Sequence, residues 1–139
     1  MVYDPERDAA NGPGSVARET RASTVWVDAQ GVHRVRMKPV GRFTLDDARA
    51  LHLVRSELAD GHATLVLVDI GARTMPTTEA RAFGKTAEAV ALTKALALYS
   101  PSQLVRVLGN AALSMFKGSY PVRIFSDESQ ALAWLEEHR

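Results

Sequence analysis

"ATLVLVDI" (residues 63–70) decides how the rest of the chain is read. It is apolar without interruption from Leu65 to Val68 and is too short for an independent helix. It also lacks the polar alternation of a strand with one wet face. That pattern predicts a strand covered on both sides, central in a partly parallel sheet. The overlapping stretch "VDIGARTMPTTEARAF" (68–83) leaves this strand and enters a predicted helix, with Thr77 and Thr78 at the join. Either these hydroxyls cap the helix or they form a chemical site.

The segments on each side extend the pattern. Upstream, "TLDDARALHLVRSELADG" predicts a helix that begins at an N-cap Thr44 and stops before Gly61. Leu45, Ala48, Leu51, Val54 and Leu58 form its buried stripe. Before it, Thr24–Val27 and Val32–Met37 flank Asp28-Ala29-Gln30-Gly31 and predict a hairpin. Alternation puts His33, Val35 and Met37 on one face of its second arm and Arg34, Arg36 and Lys38 on the other. The basic face is expected to be solvated. With Arg42 it is also a candidate stripe for phosphate groups, lipid headgroups or an acidic partner.

Downstream, helical character from Thr77 reaches Ala82-Phe83 and is expected to run past Gly84 toward Leu92. "KALALY" predicts a second buried strand, and Ser100-Pro101 an N-cap and first-turn proline for a long helix that Gly118 ends. Val122–Phe125 predicts the last strand, and Ser126 is expected to cap the closing helix, anchored by Leu132, Trp134 and Leu135. The order β-β-α-β-α-β-α-β-α implies an α/β fold with a mixed, mainly parallel sheet of four or five strands, an N-terminal hairpin and about four helices. Residues 1–22 mix charge, Ala, Gly and Pro without an apolar period. They are expected to be a flexible leader to a single domain at 23–139.

Composition removes several classes of function. Without cysteine there are no disulfides, thiolate metal sites or cysteine nucleophiles. A formal charge of +1 is too small for a nucleic-acid footprint. No apolar run reaches the roughly 20 residues that span a bilayer, and "MVYDPERDAANGPG" is not a signal peptide, so the cytoplasm is the default address. His33, His52, His62 and His138 lack metal-ligand spacing, so neither a metal nor a cofactor is expected. Gly84-Lys85-Thr86 follows a helical stretch and lacks the upstream glycine of a phosphate-binding loop. No nucleophile elbow or dinucleotide fingerprint occurs, and no activated nucleophile or acid–base pair can be assembled, so an enzyme is not expected.

The element order and the exit of the third strand resemble the SpoIIAA-like fold of STAS domains, the anti-sigma-factor antagonists and their relatives. The closing segment "RVLGNAALSMFKGSYPVRIFSDESQALAWL" is similar to a bacterial STAS/CRAL-TRIO-type family of unassigned function. The likeness is carried by Arg106, Asn110, Tyr120, Pro121, Arg123, Phe125, Asp127, Ala131, Trp134 and Leu135. It spans roughly residues 24–139. In the antagonists the strand–helix loop carries a hydroxyl that a partner kinase phosphorylates. Matching Asp69 and Met75 to that loop puts Thr77 on the modified position, with Pro76 in place of an acidic residue and Glu79 in place of glycine.

The resemblance implies a non-catalytic, cytoplasmic regulatory module that binds a protein partner of the regulatory-kinase or sigma-pathway type. Thr77 and Thr78 are the switch candidates. Asp69, Met75, Glu79, Phe83, Arg106 and Asn110 are the candidate partner or ligand contacts. The alternative is a CRAL-TRIO-like carrier or sensor of a small apolar ligand or lipid, housed beside the helix at 102–117. Leu113 and Phe116 on that helix are candidates for pairing with a second copy of the chain, and peripheral lipid contact is a further candidate.

Overall fold

The structure, a computed structural model, describes residues 16–71, 74–100, 102–103 and 120–139. Its main sheet has strands β1 (Arg18–Glu19), β2 (Ser23–Val27), β3 (His33–Met37), β5 (Thr64–Asp69), β7 (Thr93–Tyr99) and β8 (Val122–Phe125), side by side in that order. The first three pair antiparallel, and β3, β5, β7 and β8 pair parallel. A separate parallel pair joins β4 (Gly41–Phe43) to β6 (Thr74–Pro76). Among the described residues the helices are α1 (Leu45–Ala59), α2 (Thr78–Phe83), α3 (Ala87–Leu92) and α4 (Glu128–Glu136).

The apolar run at 63–70 becomes β5, between β3 and β7 and covered on both faces. One face carries Val25, Val35 and Val66 against Leu51, Val54 and Leu58 of α1. The other carries Leu65, Leu67, Ala95, Ala97 and Phe125 against Ala131 and Leu135 of α4. Continuous apolarity is therefore what this position demands, because successive side chains enter opposite cores.

The turns follow their side-chain chemistry. The hairpin turns at Asp28, whose Oδ1 accepts from the amides of Gln30 (2.9 Å) and Val32 (3.0 Å), while Gly31 supplies a φ of +82°. Helix α1 starts with a capping box. The Asp47 amide donates to the Thr44 hydroxyl (3.3 Å), and the Thr44 amide donates back to Asp47 Oδ2 (2.8 Å).

The folded region begins earlier than the sequence predicts. Arg18 and Glu19 pair with β2, Ala22 is fully buried, and Arg21 clamps Asp47 through Nε (2.9 Å) and Nη2 (2.6 Å). These residues lie within the expected leader. With β1 added, the main sheet has six strands among the described residues rather than four or five.

Two local expectations are corrected. The helix expected from Thr77 to Leu92 is split at Gly84–Thr86. The Thr86 hydroxyl donates to Phe83 O (2.7 Å), closing α2, and accepts from the Ala89 amide (3.4 Å), opening α3. The cap of α4 is Asp127, not Ser126. Asp127 Oδ1 accepts from the Gln130 amide at 3.1 Å, and as a carboxylate it also suits the positive end of the helix.

Candidate functional site

The parallel strands end in a row. On the α4 side of the sheet, register places Arg36 beside Asp69, Asp69 beside Tyr99, and Tyr99 beside Phe125. This is the carboxyl edge, where open α/β sheets most often receive ligands. Arg36 Nε lies 3.9 Å from Asp69 Oδ2, and Asp69 Oδ1 accepts from the Gly71 amide at 3.3 Å. Asp69 thus ties the strand exit to both its neighbouring strand and its own loop.

One step back from the edge, Trp26 packs against two guanidinium groups. Arg36 lies 5.2 Å from its ring centre and Arg34 lies 5.8 Å away. Arg34 pairs with Asp28 (3.3 Å) and with Glu128 at the start of α4. The basic face expected to be solvated is therefore buried, with Arg34 5% and Arg36 2% exposed. The physical reason is what covers this face: Trp26 and the start of α4 lie over it, and carboxylates from the hairpin and α4 compensate the enclosed charge. Lys38 remains half-buried, bonding Glu19 (2.6 Å) and Thr20 O (2.7 Å), and Arg42 is exposed. Sequence reasoning missed Asp28 and Glu128 as partners.

The predicted switch loop lies beyond this edge, where β6 meets α2. The Thr77 amide donates to Phe43 O (2.9 Å), and its hydroxyl accepts from the Ala80 amide (3.1 Å), so Thr77 is the cap of α2. Thr78 and Glu79 are exposed. The Thr78 hydroxyl accepts a long bond from Arg81 Nη2 at 3.4 Å. Met75 is 47% exposed and sits beside Arg42 in the β4–β6 pair. Phe83 turns inward, packing with Ala22, Phe43, Ala48 and Ala80 and meeting the His52 ring edge-on at 5.5 Å. Met75, Thr78 and Glu79 thus share the loop's outer surface, whereas Asp69, Thr77 and Phe83 are engaged within the protein. Arg106 and Asn110 lie outside the described residues, as do Leu113 and Phe116.

The closing motif organises packing. Tyr120 donates to Gly84 O (3.3 Å), and Pro121 O accepts from the Leu96 amide (2.9 Å). Arg123 lies 5.2 Å from the Phe125 ring, Phe125 meets Trp134 at 5.7 Å, and Ala131 and Leu135 are fully buried. Among the described residues, no three His, Asp or Glu side chains gather to hold a metal ion. None of the helices there is long and apolar enough to cross a membrane.

The family model described as "Domain of unknown function (DUF7793)" matches residues 25–139, from β2 to the end of the chain. The chain belongs to the DUF7793 family. No protein of curated function matches it. Among solved structures, it is similar to an uncharacterized DUF3478-family protein from Shewanella loihica PV-4 with a SpoIIAA-like fold. Identity is 18%, the match covers 86% of this chain and 90% of that one, and the TM-score is 0.50. At that identity the likeness establishes the fold, so this DUF7793 chain has a SpoIIAA-like α/β fold.

Proposed function

We propose that this DUF7793 domain is a non-catalytic regulatory module. It binds a protein partner through the outer surface of the β6–α2 loop, and Thr78 is the hydroxyl whose modification controls that binding. One observation carries this reading: Met75, Thr78 and Glu79 face outward from a loop held in place by Thr77. An exposed methionine offers an adaptable apolar contact, and the acidic and hydroxyl groups beside it offer directional ones. Thr77 is the less suitable switch, because occupying its hydroxyl would also remove a helix cap worth about 1 kcal/mol. A phosphate on Thr78 would have Arg81 within reach and Glu79 as a repelling neighbour, so modification would change the charge of the contact surface. A partner from a kinase or sigma pathway, acting in the cytoplasm, fits this reading.

A photo-crosslinking amino acid at Met75, compared in the native host with the same group at exposed Gln130 on α4, tests it. The expected result is a protein captured from position 75 alone, whose capture is lost in Thr78→Glu and kept in Thr78→Ser. Identical capture from both positions, or capture indifferent to Thr78→Glu, overturns the proposal.

A further inference from the structure

A concavity opens at the opposite edge of the sheet, where the parallel strands begin. It measures about 290 Å³. His33 opens β3, Thr64 and Leu65 open β5, and Lys94 lies at the start of β7. Leu58 and His62, from the end of α1 and the turn after it, form one wall, and Arg139 closes the side beyond α4. Every charged or titratable side chain in this lining is basic or an imidazole. The nearest acidic partner is Glu136, which holds Arg139 in a two-bonded pair (2.9 and 2.5 Å).

The deepest polar group there is His33, only 2% exposed. Its Nδ1 is buried and meets no hydrogen-bond partner among the described residues. A buried polar nitrogen left unsatisfied costs roughly 1–3 kcal/mol, and such a group calls for a reason. Burial holds its pKa down at about 4, with the Arg55 guanidinium adding to the effect and Asp28 opposing it, so the ring is neutral near pH 7. A neutral imidazole keeps one N–H to donate and one nitrogen to accept. Leu58 and Ala59, from the end of α1, supply apolar lining to the same cleft.

We infer that this cleft binds a small organic acid: a carboxylate paired with Lys94, an apolar body laid against Leu58 and Ala59, and a hydrogen bond to His33. The three features require one another. A free inorganic anion would leave the apolar wall unused, and an uncharged apolar molecule would leave Lys94 and the imidazole without a ligand group to meet. The site lies at the sheet edge opposite the Met75 loop and is independent of the partner proposal.

NMR of the ¹⁵N-labelled full chain, titrated with sodium hexanoate at constant ionic strength and with 1-hexanol as the uncharged control, tests it. The expected result is saturable shifts of the His33 ring nitrogens and of the Gly31, Thr64 and Lys94 amides. Hexanol should bind at least about tenfold more weakly. Lys94→Gln, at an exposed position, should weaken hexanoate about fivefold, and Lys94→Arg should restore most of it. Shifts that stay linear with concentration, equal binding of hexanol, or shifts that leave His33 unmoved overturn the inference.

Discussion

Arg34 and Asp28, six residues apart on the two sides of a hairpin turn, form a buried ion pair at 3.3 Å beneath α4. The pair is asymmetric. Asp28 also accepts the Gln30 and Val32 amides, so its carboxylate keeps partners when the guanidinium is removed. Arg34 would retain Glu128, which is partly exposed, but would lose the turn that aims it.

Asp28→Ala is therefore expected to destabilise the protein by about 3–5 kcal/mol and Arg34→Met by about 1–3 kcal/mol. Urea unfolding of both single variants and the double variant checks this. Equal costs would mean that the turn bonds of Asp28 contribute nothing.

His33 predicts a pH dependence of opposite origin to that of a salt bridge. Its folded pKa of about 4 lies below the ordinary 6.5, so the unfolded chain binds the extra proton between these values. Stability from this residue is complete above pH 6.5 and falls as pH drops toward 4, by about 3 kcal/mol in total. Thermal denaturation between pH 7 and 4, compared with His33→Phe, should show the variant losing less stability across that window. Parallel curves would contradict it.

Asp47 acts lower on the scale. The Arg21 guanidinium, with help from the Thr44 amide and hydroxyl, holds its pKa at about 2 against burial, compared with an ordinary 3.8. Its contribution is complete above about pH 4 and is lost as pH falls through 2. We expect about 1–2 kcal/mol, reduced because the Arg21 side of the pair faces solvent. Arg21→Met should raise the Asp47 carboxyl pKa measured by NMR and flatten the acid limb of the stability curve.

The two loop threonines should separate in a stability measurement. Thr77→Ala removes the α2 cap and is expected to cost about 1 kcal/mol, while Thr78→Ala, at an exposed first-turn position, should stay within about 0.5 kcal/mol. Calorimetry of the two variants decides it. A larger cost for Thr78→Ala would make that hydroxyl structural.

The parts legible in the sequence were those governed by local rules. β5 announced itself by unbroken apolarity, α1 by Thr44 and its stripe, and the hairpin by Asp28 and Gly31. The corrections arose where distant segments compete. Arg34 and Arg36 carry the alternation of a half-wet strand, and only acids from the turn and from α4 make their burial tolerable. The break between α2 and α3 depends on Thr86 bonding backward and forward at once, which helical periodicity does not register. At the candidate site, strand exit and loop were legible, but which hydroxyl faces outward was not, because Thr77 and Thr78 are chemically alike and only φ/ψ assigns the cap.

The two-residue strand β1 bears on self-association. Arg18 and Glu19 occupy the rim of the main sheet with charged, exposed side chains and offer a template too short for a foreign strand to extend. Trimming the chain through Thr20 would bare the five-residue β2, and fibril-type stacking at that newly opened margin is the hazard those few residues suppress.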